Sequence, residues 1–381
     1  MGKILVIAPF NIFPPYWGAA NRIYNLVKYL SKDHKVTLLY VNRQQLNIIG
    51  KSDDPLLNSK NVQVYRVGSF TKYSQILNPI LILTGLVLIG RGRYSLILAE
   101  TAWSGLHAMI LSFLMRVPYV LDEHNAEFVA FQRMDRGGKP GVSILKSYEG
   151  LSCRFADKVL CVSDQDKDRI ASGLNVRKEK IVLVPNGVDL GKFHADKQKR
   201  DEMRRRLSVS EGTPLILFNG KLDYKPNFEA VEIILNEILP RVLNVLPGAK
   251  FLVVGNNPPL ELSHDNLIYT GVVDRVEDYI NASDVVICPL LSGGGTRLKI
   301  LEAIACGKRV ISTTVGAEGL VDKETEPYLK CKDNWDQFAQ EVVRAIHNDG
   351  VLKTDVSLLE KYSWKRVVEI LQSEVIYSYC S

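Results

Sequence analysis

The stretch 282–320, ASDVVICPLLSGGGTRLKILEAIACGKRVISTTVGAEGL, leaves few architectures open to this chain. Val285, Val286 and Ile287 form a short β-branched run of the kind that fills a parallel strand covered on both faces. Ser292-Gly293-Gly294-Gly295-Thr296 then permits a tight turn with backbone N–H groups pointing outward. From Leu298, apolar residues recur at helical spacing through Leu301, Ile304 and Ala305. Gly307 closes a helix expected over 296–306, and Val310-Ile311 opens the next strand. Strand, glycine loop, helix and strand in that order belong to an α/β chain with parallel sheets.

A glycine loop that opens a helix is an anion site, because free N–H groups and the helix dipole both favour negative charge there. Arg297 and Lys299 place two cations in that first turn, where the dipole alone would prefer acids. They make sense if a phosphate lies between them and the amides. Glu302, one turn further, is within reach of ribose hydroxyls. The plain alternative is a βα turn with solvated cations, and a glycine run by itself does not separate the two.

The whole string resembles the donor-site segment of retaining family 4 glycosyltransferases, which have the GT-B fold. Those enzymes usually carry two glutamates with seven residues between them, ahead of an Ala-Cys-Gly helix end. Glu302 matches the second glutamate, and the first falls on Gly294. The string is similar to a variant of the family that has Gly-x-Gly-Thr-Arg-Leu-Lys at this point. That departure leaves open which groups hold the hydroxyls of the transferred sugar.

Size and composition fit two α/β domains. A chain of 381 residues with 46% apolar residues can fill two cores. Six cysteines stand singly, without a CxxC pair, so neither a zinc site nor a disulfide framework is implied, and a reducing compartment is expected. A net charge of +6 is too small to argue for nucleic acid. No signal-peptide pattern precedes the first strand at Lys3, so a cytoplasmic protein is expected.

Taken in order, residues 3–8 form a first buried strand, and Pro14-Pro15-Tyr16-Trp17-Gly18-Ala19 a loop before a helix. A small-residue loop after the first strand of a doubly wound sheet faces the ligand crevice. The string resembles the family's Pro-x-x-Gly-Gly-x-x-x-Arg opening, with Ala19 in place of the second glycine, which implies that Gly18 and Ala19 line the donor phosphate or acceptor cleft. Residues 35–41, 62–67, 94–100 and 119–122 read as further strands. The apolar run 76–90 is too short for a bilayer span. It reads as a buried helix, or as an acceptor-side face that meets the membrane with Arg66, Lys72, Arg91 and Arg93 nearby. Family members with lipid-linked acceptors often use such a surface.

Leu121-Asp122-Glu123-His124-Asn125-Ala126-Glu127 follows the fourth of these strands. A histidine at a strand's C-terminal end sits at the crevice and titrates near neutral pH. The string resembles the family's His-Asn-x-Glu. Residues 132–146 look like a mobile surface loop. Ser163-Asp164-Gln165-Asp166-Lys167-Asp168 contains overlapping DxD patterns, but Ser163 or Asp164 reads better as a helix cap with an acid-rich first turn than as a metal site.

Residues 181–189 resemble the family's Pro-Asn-Gly-Val-Asp crossing into the second domain, and 192–212 read as a highly charged surface helix without the interleaved aromatics of a nucleic-acid binder. After a strand at 215–218, Lys221 and Lys225 match in charge the cations that family members use on the donor diphosphate. Residues 250–255 and 267–271 read as further strands. Gly271 falls where the family contacts the nucleotide base by backbone, and Glu318-Gly319-Leu320 matches another donor-pocket loop. Residues 362–379 resemble the C-terminal helix that returns to the N-terminal domain.

The resemblance thus implies a GT-B fold with Rossmann-like domains at 1–190 plus 363–381 and at 191–362. It implies a nucleotide-diphosphate sugar donor and a saccharide or lipid-linked acceptor. No cofactor, metal or nucleic acid is expected. Gly293, Gly294, Gly295, Thr296, Arg297, Lys221 and Lys225 would hold the diphosphate, Glu302 the ribose, and His124 the sugar or acceptor. A phosphorylase or epimerase of this fold competes with this reading, though no pyridoxal phosphate lysine motif is visible. So does an inactive nucleotide-sugar-binding protein, which the missing first glutamate favours.

Overall fold

The computed structural model describes residues 2–42, 56, 58–69, 76–134, 138–259, 261–348 and 354–380. The chain divides into two compact units, Met1–Asn186 with Trp364–Ser381, and Gly187–Ser363.

The first unit is built on a seven-stranded parallel sheet of β1 (Lys3–Ala8), β2 (Lys35–Asn42), β3 (Val62–Gly68), β4 (Leu96–Glu100), β5 (Tyr119–Asp122), β6 (Lys158–Cys161) and β7 (Ile181–Leu183). Their order is β3-β2-β1-β4-β5-β6-β7. The strands run outward from β1 in both directions, so the topological switch lies between β1 and β4, where the loops leaving their C-terminal ends part to opposite faces. Ile4, Leu5, Val6 and Ile7 are fully buried, because helices cover both faces of this central strand. Each such side chain contributes roughly 1.5–3 kcal/mol on burial.

The second unit has a six-stranded parallel sheet of β8 (Leu215–Asn219), β9 (Lys250–Val254), β10 (Leu267–Tyr269), β11 (Val285–Cys288), β12 (Arg309–Ser312) and β13 (Leu329–Cys331), in the order β10-β9-β8-β11-β12-β13. Its switch lies between β8 and β11. The loop holding Lys221 and the glycine loop leave these neighbouring strands side by side. The expected α/β architecture of two parallel-sheet units is therefore present, with strand limits shifted by one or two residues from those read in the sequence.

Several local expectations change. The helix after the glycine loop is Leu298–Ala305 rather than 296–306. Arg297 has extended backbone at the N-cap, φ −87° and ψ 104°, because its guanidinium turns back to the loop's carbonyls. The segment read as a loop at 132–146 is mostly helical, ending Glu127–Arg133 and beginning Gly138–Phe155; 135–137 lie outside the described residues. Pro140 stands in the first turn of the longer helix, where it takes no amide from the helical ladder. In the charged segment 192–212 the helix is Lys197–Arg206, and Arg204 is buried rather than solvated. Arg200 and Arg204 both bind Asp284, and Arg204 also binds the carbonyls of Ser210, Glu211 and Ala282.

The apolar run is neither wholly buried nor wholly exposed. Asn78 caps the helix Pro79–Arg91, which buries Leu81, Gly85 and Ile89 and leaves Leu83 at 61% and Val87 at 49% exposure. Gly85 admits Leu111 so closely that a Cβ would meet it at 2.6 Å. Lys72 lies outside the described residues. Among the described residues, no helix is long and apolar enough to cross a membrane. In the first unit, the C-terminal helical segment anchors through Gln372 Nε2, which donates to Asp33 Oδ2 at 3.0 Å.

Candidate functional site

In the second unit, the switch between β8 and β11 gathers the glycine loop, Lys221, Lys225 and Lys299. Gly293 and Gly295 have φ of +97° and +70°, a region where only glycine is unstrained. A Cβ on Gly293 would also lie 3.1 Å from both Arg297 Nη2 and the Tyr224 hydroxyl. Arg297 Nη1 donates to the carbonyls of Gly294 and Gly295, the latter at 2.9 Å, and Nη2 to Ser292 O at 3.3 Å. In this arrangement the guanidinium braces the loop from within.

The lysines differ. Lys221 is exposed. Lys225, the first residue of the helix Lys225–Ile233, is exposed and lies 3.5 Å from Glu229 Oε1. The other oxygen of Glu229 accepts from Ser292 Oγ at 3.1 Å, so one carboxylate joins Lys225 to the glycine loop. Lys299 is different again. Its Nζ lies 4.3 Å above the Phe218 ring and donates to Asn227 Oδ1 at 3.3 Å. Burial, with Arg297 nearby, lowers its pKa to about 8. Lys299 is half-buried, and among the described residues no carboxylate is in contact with it; the Phe218 ring and Asn227 are its partners.

Glu302 is buried one turn into the helix, and desolvation raises its carboxyl to about 7 despite the pull of Lys192 and Lys299. Thr296 is buried beside the loop. Gly271 follows β10 with φ +71°, and the space where its Cβ would stand is open.

In the first unit, Gly18 and Ala19 open the helix Gly18–Leu30 directly after the loop from β1, leaving their amides unused by the helix. The same helix carries Arg22 inward. Arg22 Nε donates to Asp122 Oδ2 at 2.8 Å and Nη2 to Asp122 Oδ1 at 2.9 Å. The guanidinium also reaches Val184 O at 3.0 Å, Pro185 O at 3.0 Å and Asn186 Oδ1 at 3.1 Å. Every one of its donors is therefore engaged.

His124 follows β5 and is buried. Its Nε2 donates to Glu100 Oε2 at 2.9 Å and lies 3.6 Å from Asp122 Oδ2. Burial opposes charge on the ring, but hydrogen bonds and charges of Asp122 and Glu100 prevail and raise its pKa to about 9. Burial and the neighbouring Asp122 charge push Glu100 up to about 7. Asp122 goes the other way. Burial alone would raise it, but the Arg22 charge and the His124 hydrogen bond hold it below the ordinary carboxylate range.

Glu100, Asp122 and His124 each offer a ligand atom within 4.8 Å of the others, a donor set that in isolation suits a divalent cation. Here Arg22 already covers both Asp122 oxygens and supplies the positive charge. The overlapping DxD residues do not gather in this way. Instead Ser163 Oγ caps the helix Asp164–Leu174, accepting from Asp166 N at 3.1 Å.

Sequence reasoning missed Arg22, Glu100 and Asp122 as a group. One signal points to them. Arg22, Leu26 and Leu30 stand four apart on the apolar stripe of their helix, and an arginine there requires a buried anion.

The chain is similar to known proteins. A family model described as Glycosyltransferase Family 4 matches residues 17–192, and one described as Glycosyl transferases group 1 matches residues 213–348. The Escherichia coli UDP-Gal:alpha-D-GlcNAc-diphosphoundecaprenol alpha-1,3-galactosyltransferase is 26% identical over 353 residues, covering 86% of this chain and 87% of that one. Anabaena HepE, solved in complex with UDP-glucose, superposes with a TM-score of 0.76 at 16% identity, covering 99% of both chains. Sucrose-phosphate synthase from Thermosynechococcus elongatus superposes with a TM-score of 0.78 at 16% identity, covering 99% of this chain and 98% of that one. Sequence relatives and family models, taken with the paired parallel sheets, identify the chain as a glycosyltransferase of the family 4 type with the GT-B fold.

Proposed function

We propose that this chain is a retaining glycosyltransferase that moves a hexose from a UDP- or GDP-linked donor to a saccharide or lipid-linked acceptor. The observation that carries the reading is the switch region of the second unit. There an ammonium without a carboxylate partner among the described residues, a glycine loop and a buried carboxylate lie in the order that a diphosphate and a ribose require. In this reading residues 191–362 hold the donor, and 1–190 with 363–381 hold the acceptor.

The glycine-loop amides, Lys221, Lys225 and Lys299 meet the diphosphate, with Arg297 fixing the loop's shape. Glu302 accepts from the ribose hydroxyls, and the Gly271 backbone meets the base. Gly18, Ala19 and His124 belong to the sugar and acceptor side. A nucleoside diphosphate leaves readily once its charge is held, so most of the catalysis is electrostatic and geometric. No protein nucleophile is assigned. The leaving phosphate oxygen takes the acceptor's proton as the sugar passes on one face through an oxocarbenium-like ion pair.

The E. coli relative's printed activity, with a diphosphoundecaprenol acceptor, favours a lipid-linked acceptor for this chain as well. The half-exposed helix Pro79–Arg91, flanked by Arg91 and Arg93, suits a peripheral position at the cytoplasmic membrane face. Incubation with UDP-, GDP-, ADP- and CMP-sugars and a mixed lipid and oligosaccharide acceptor pool tests the reading. Release of one nucleoside diphosphate with a product of retained anomeric configuration is expected. Gly294 in the place of a glutamate favours one alternative, an inactive nucleotide-sugar-binding protein. Nucleotide binding without release of a diphosphate from any donor would establish it.

A further inference from the structure

Glu100 belongs to none of the motifs that mark the donor site, yet His124 hangs on it. Glu100 ends β4 and Asp122 ends β5, and the two are register partners. Parallel pairing therefore sets two fully buried carboxylates side by side. Like charges in that position need compensation. Arg22 takes both oxygens of Asp122, and His124 Nε2 lies 2.9 Å from Glu100 Oε2. The four groups balance when Arg22 and His124 are positive and Asp122 and Glu100 negative. A neutral imidazole beside an ionised Glu100 would leave one uncompensated negative charge in the core.

The remaining titratable neighbours make no hydrogen bond to this quartet among the described residues. Glu123, next in the chain, has Cys153 Sγ at 3.6 Å from its Oε1, and its charged neighbours are Glu149, Glu127 and, more weakly, Asp122 of the quartet. Glu149 accepts from the backbone of Glu127 at 2.8 Å and of Phe128 at 2.9 Å, which pins the far end of the loop that carries His124. The ring is thus held at Nε2, and the loop that carries it is anchored at its far end. Its second nitrogen, Nδ1, is buried and has no partner among the described residues. An orphaned buried donor is unfavourable unless a ligand or water completes it.

We propose that Glu100 is a positioning residue: by fixing Nε2 it keeps His124 an imidazolium whose Nδ1–H donates to an oxygen of the sugar substrate. This rests on the glycosyltransferase reading and deepens it. His124 is then a fixed hydrogen-bond donor and positive charge toward a sugar oxygen, and not a general base. The class of ligand is one that presents a hydroxyl or phosphate oxygen to a cationic donor. Glu100→Gln keeps the shape but removes the charge, so the ring loses the partner that holds its proton. Glu100→Asp keeps the charge but withdraws it from Nε2 by one methylene.

The test begins with the protein alone. Imidazole C–H signals of the six histidines are followed by NMR between pH 5.5 and 10, with His124→Asn assigning the resonance. His124 in the wild type is expected to titrate more than one pH unit above the ordinary value near 6.5. In Glu100→Gln its midpoint should fall by at least one pH unit, with Glu100→Asp between the two. In transfer assays Glu100→Gln should lower kcat at least tenfold with donor KM nearly unchanged. The high-pH limit of activity should move downward, and Glu100→Asp should recover part of the rate. Unchanged UDP affinity in the variants verifies that the donor unit is intact. A wild-type His124 titrating near 6.5, or one indifferent to Glu100→Gln, overturns the proposal even if no Glu100 variant folds well. Absence of transfer by the wild type from every nucleotide sugar overturns instead the reading beneath it, leaving the titration result standing on its own.

Discussion

Glu302→Gln should raise stability and weaken donor binding in the same protein. The Glu302 carboxyl is buried, with no cation in contact among the described residues, and its pKa lies at about 7 against an ordinary 4.5. Between those values the folded chain binds a proton that the unfolded chain releases. Stability from this group is therefore full below about pH 4.5 and is lost as pH rises through 7. At pH 8 the loss amounts to about 3 kcal/mol, since a tenfold change in proton affinity between the folded and unfolded chain corresponds to roughly 1.4 kcal/mol. Glutamine keeps the size and removes the charge, so most of that loss should be recovered. Melting followed by calorimetry at pH 8 should show Tm rising by roughly 6–12 °C, and by far less at pH 4.5. Binding should move the opposite way. A UDP-sugar, whose diphosphate does not titrate in this range, needs the ionised carboxylate for its ribose. Its affinity for the wild type should fall about tenfold between pH 8 and pH 6, following the ionised fraction. Glu302→Gln should bind more weakly at pH 8 and lose most of this pH dependence. Equal Tm for the two proteins at pH 8, or equal affinity for the UDP-sugar, would refute the reasoning.

Three further outcomes follow from named contacts. Arg22→Met leaves Asp122 as an unpaired buried charge and should destabilise the protein by about 3–5 kcal/mol; denaturant titration measures it, and Arg22→Met with Asp122→Asn together should recover a good part. Gly293→Ala meets both a left-handed backbone at φ +97° and the Arg297 and Tyr224 side chains, so about 1–3 kcal/mol should be lost, with nucleotide affinity reduced in step; a neutral Tm would show that the loop can relax. Lys299→Met should lower UDP affinity by at least tenfold while Lys225→Met does so less, because Lys225 already has Glu229 at 3.5 Å and Lys299 has no such partner among the described residues; isothermal titration at pH 7 distinguishes them, and equal losses would remove the special place given to Lys299.

Local chemistry makes much of this molecule legible, and distance along the chain hides the rest. The β-branched runs, the glycine loop and the helix with Glu302 each declare themselves within a dozen residues, so both sheets and the glycine-loop region can be read directly. His124 is visible as a histidine at a strand end. Its partners are not, because Glu100 and Asp122 meet only through the register of β4 on β5, and Arg22 arrives from a helix a hundred residues away from Asp122. The first half of the helix Gly138–Phe155 reads as a loop since Gly137, Gly138, Pro140 and Gly141 punctuate its start, while the buried Glu149 that secures it lies two turns on. Arg204 misleads for a similar reason. In a run of charges one arginine looks like another, and only the folded unit reveals which one faces inward.

The Arg200–Arg204 pair has a consequence for anyone dividing this chain. Asp284, at the foot of β11, accepts from Arg200 Nη2 at 2.5 Å and from the Leu215 amide at 2.7 Å, so it laces the helix Lys197–Arg206 to the beginnings of β8 and β11. Arg200 and Arg204 meanwhile close off the carbonyls of Ala282 and Ser283. A fragment begun at Leu215, where the sheet starts, would strand a carboxylate and several carbonyls at the base of its two innermost strands. A fragment begun at Gly187 keeps them covered. The useful cut for isolating the second unit is therefore set by two arginines upstream of the sheet, in a segment that looks dispensable by composition.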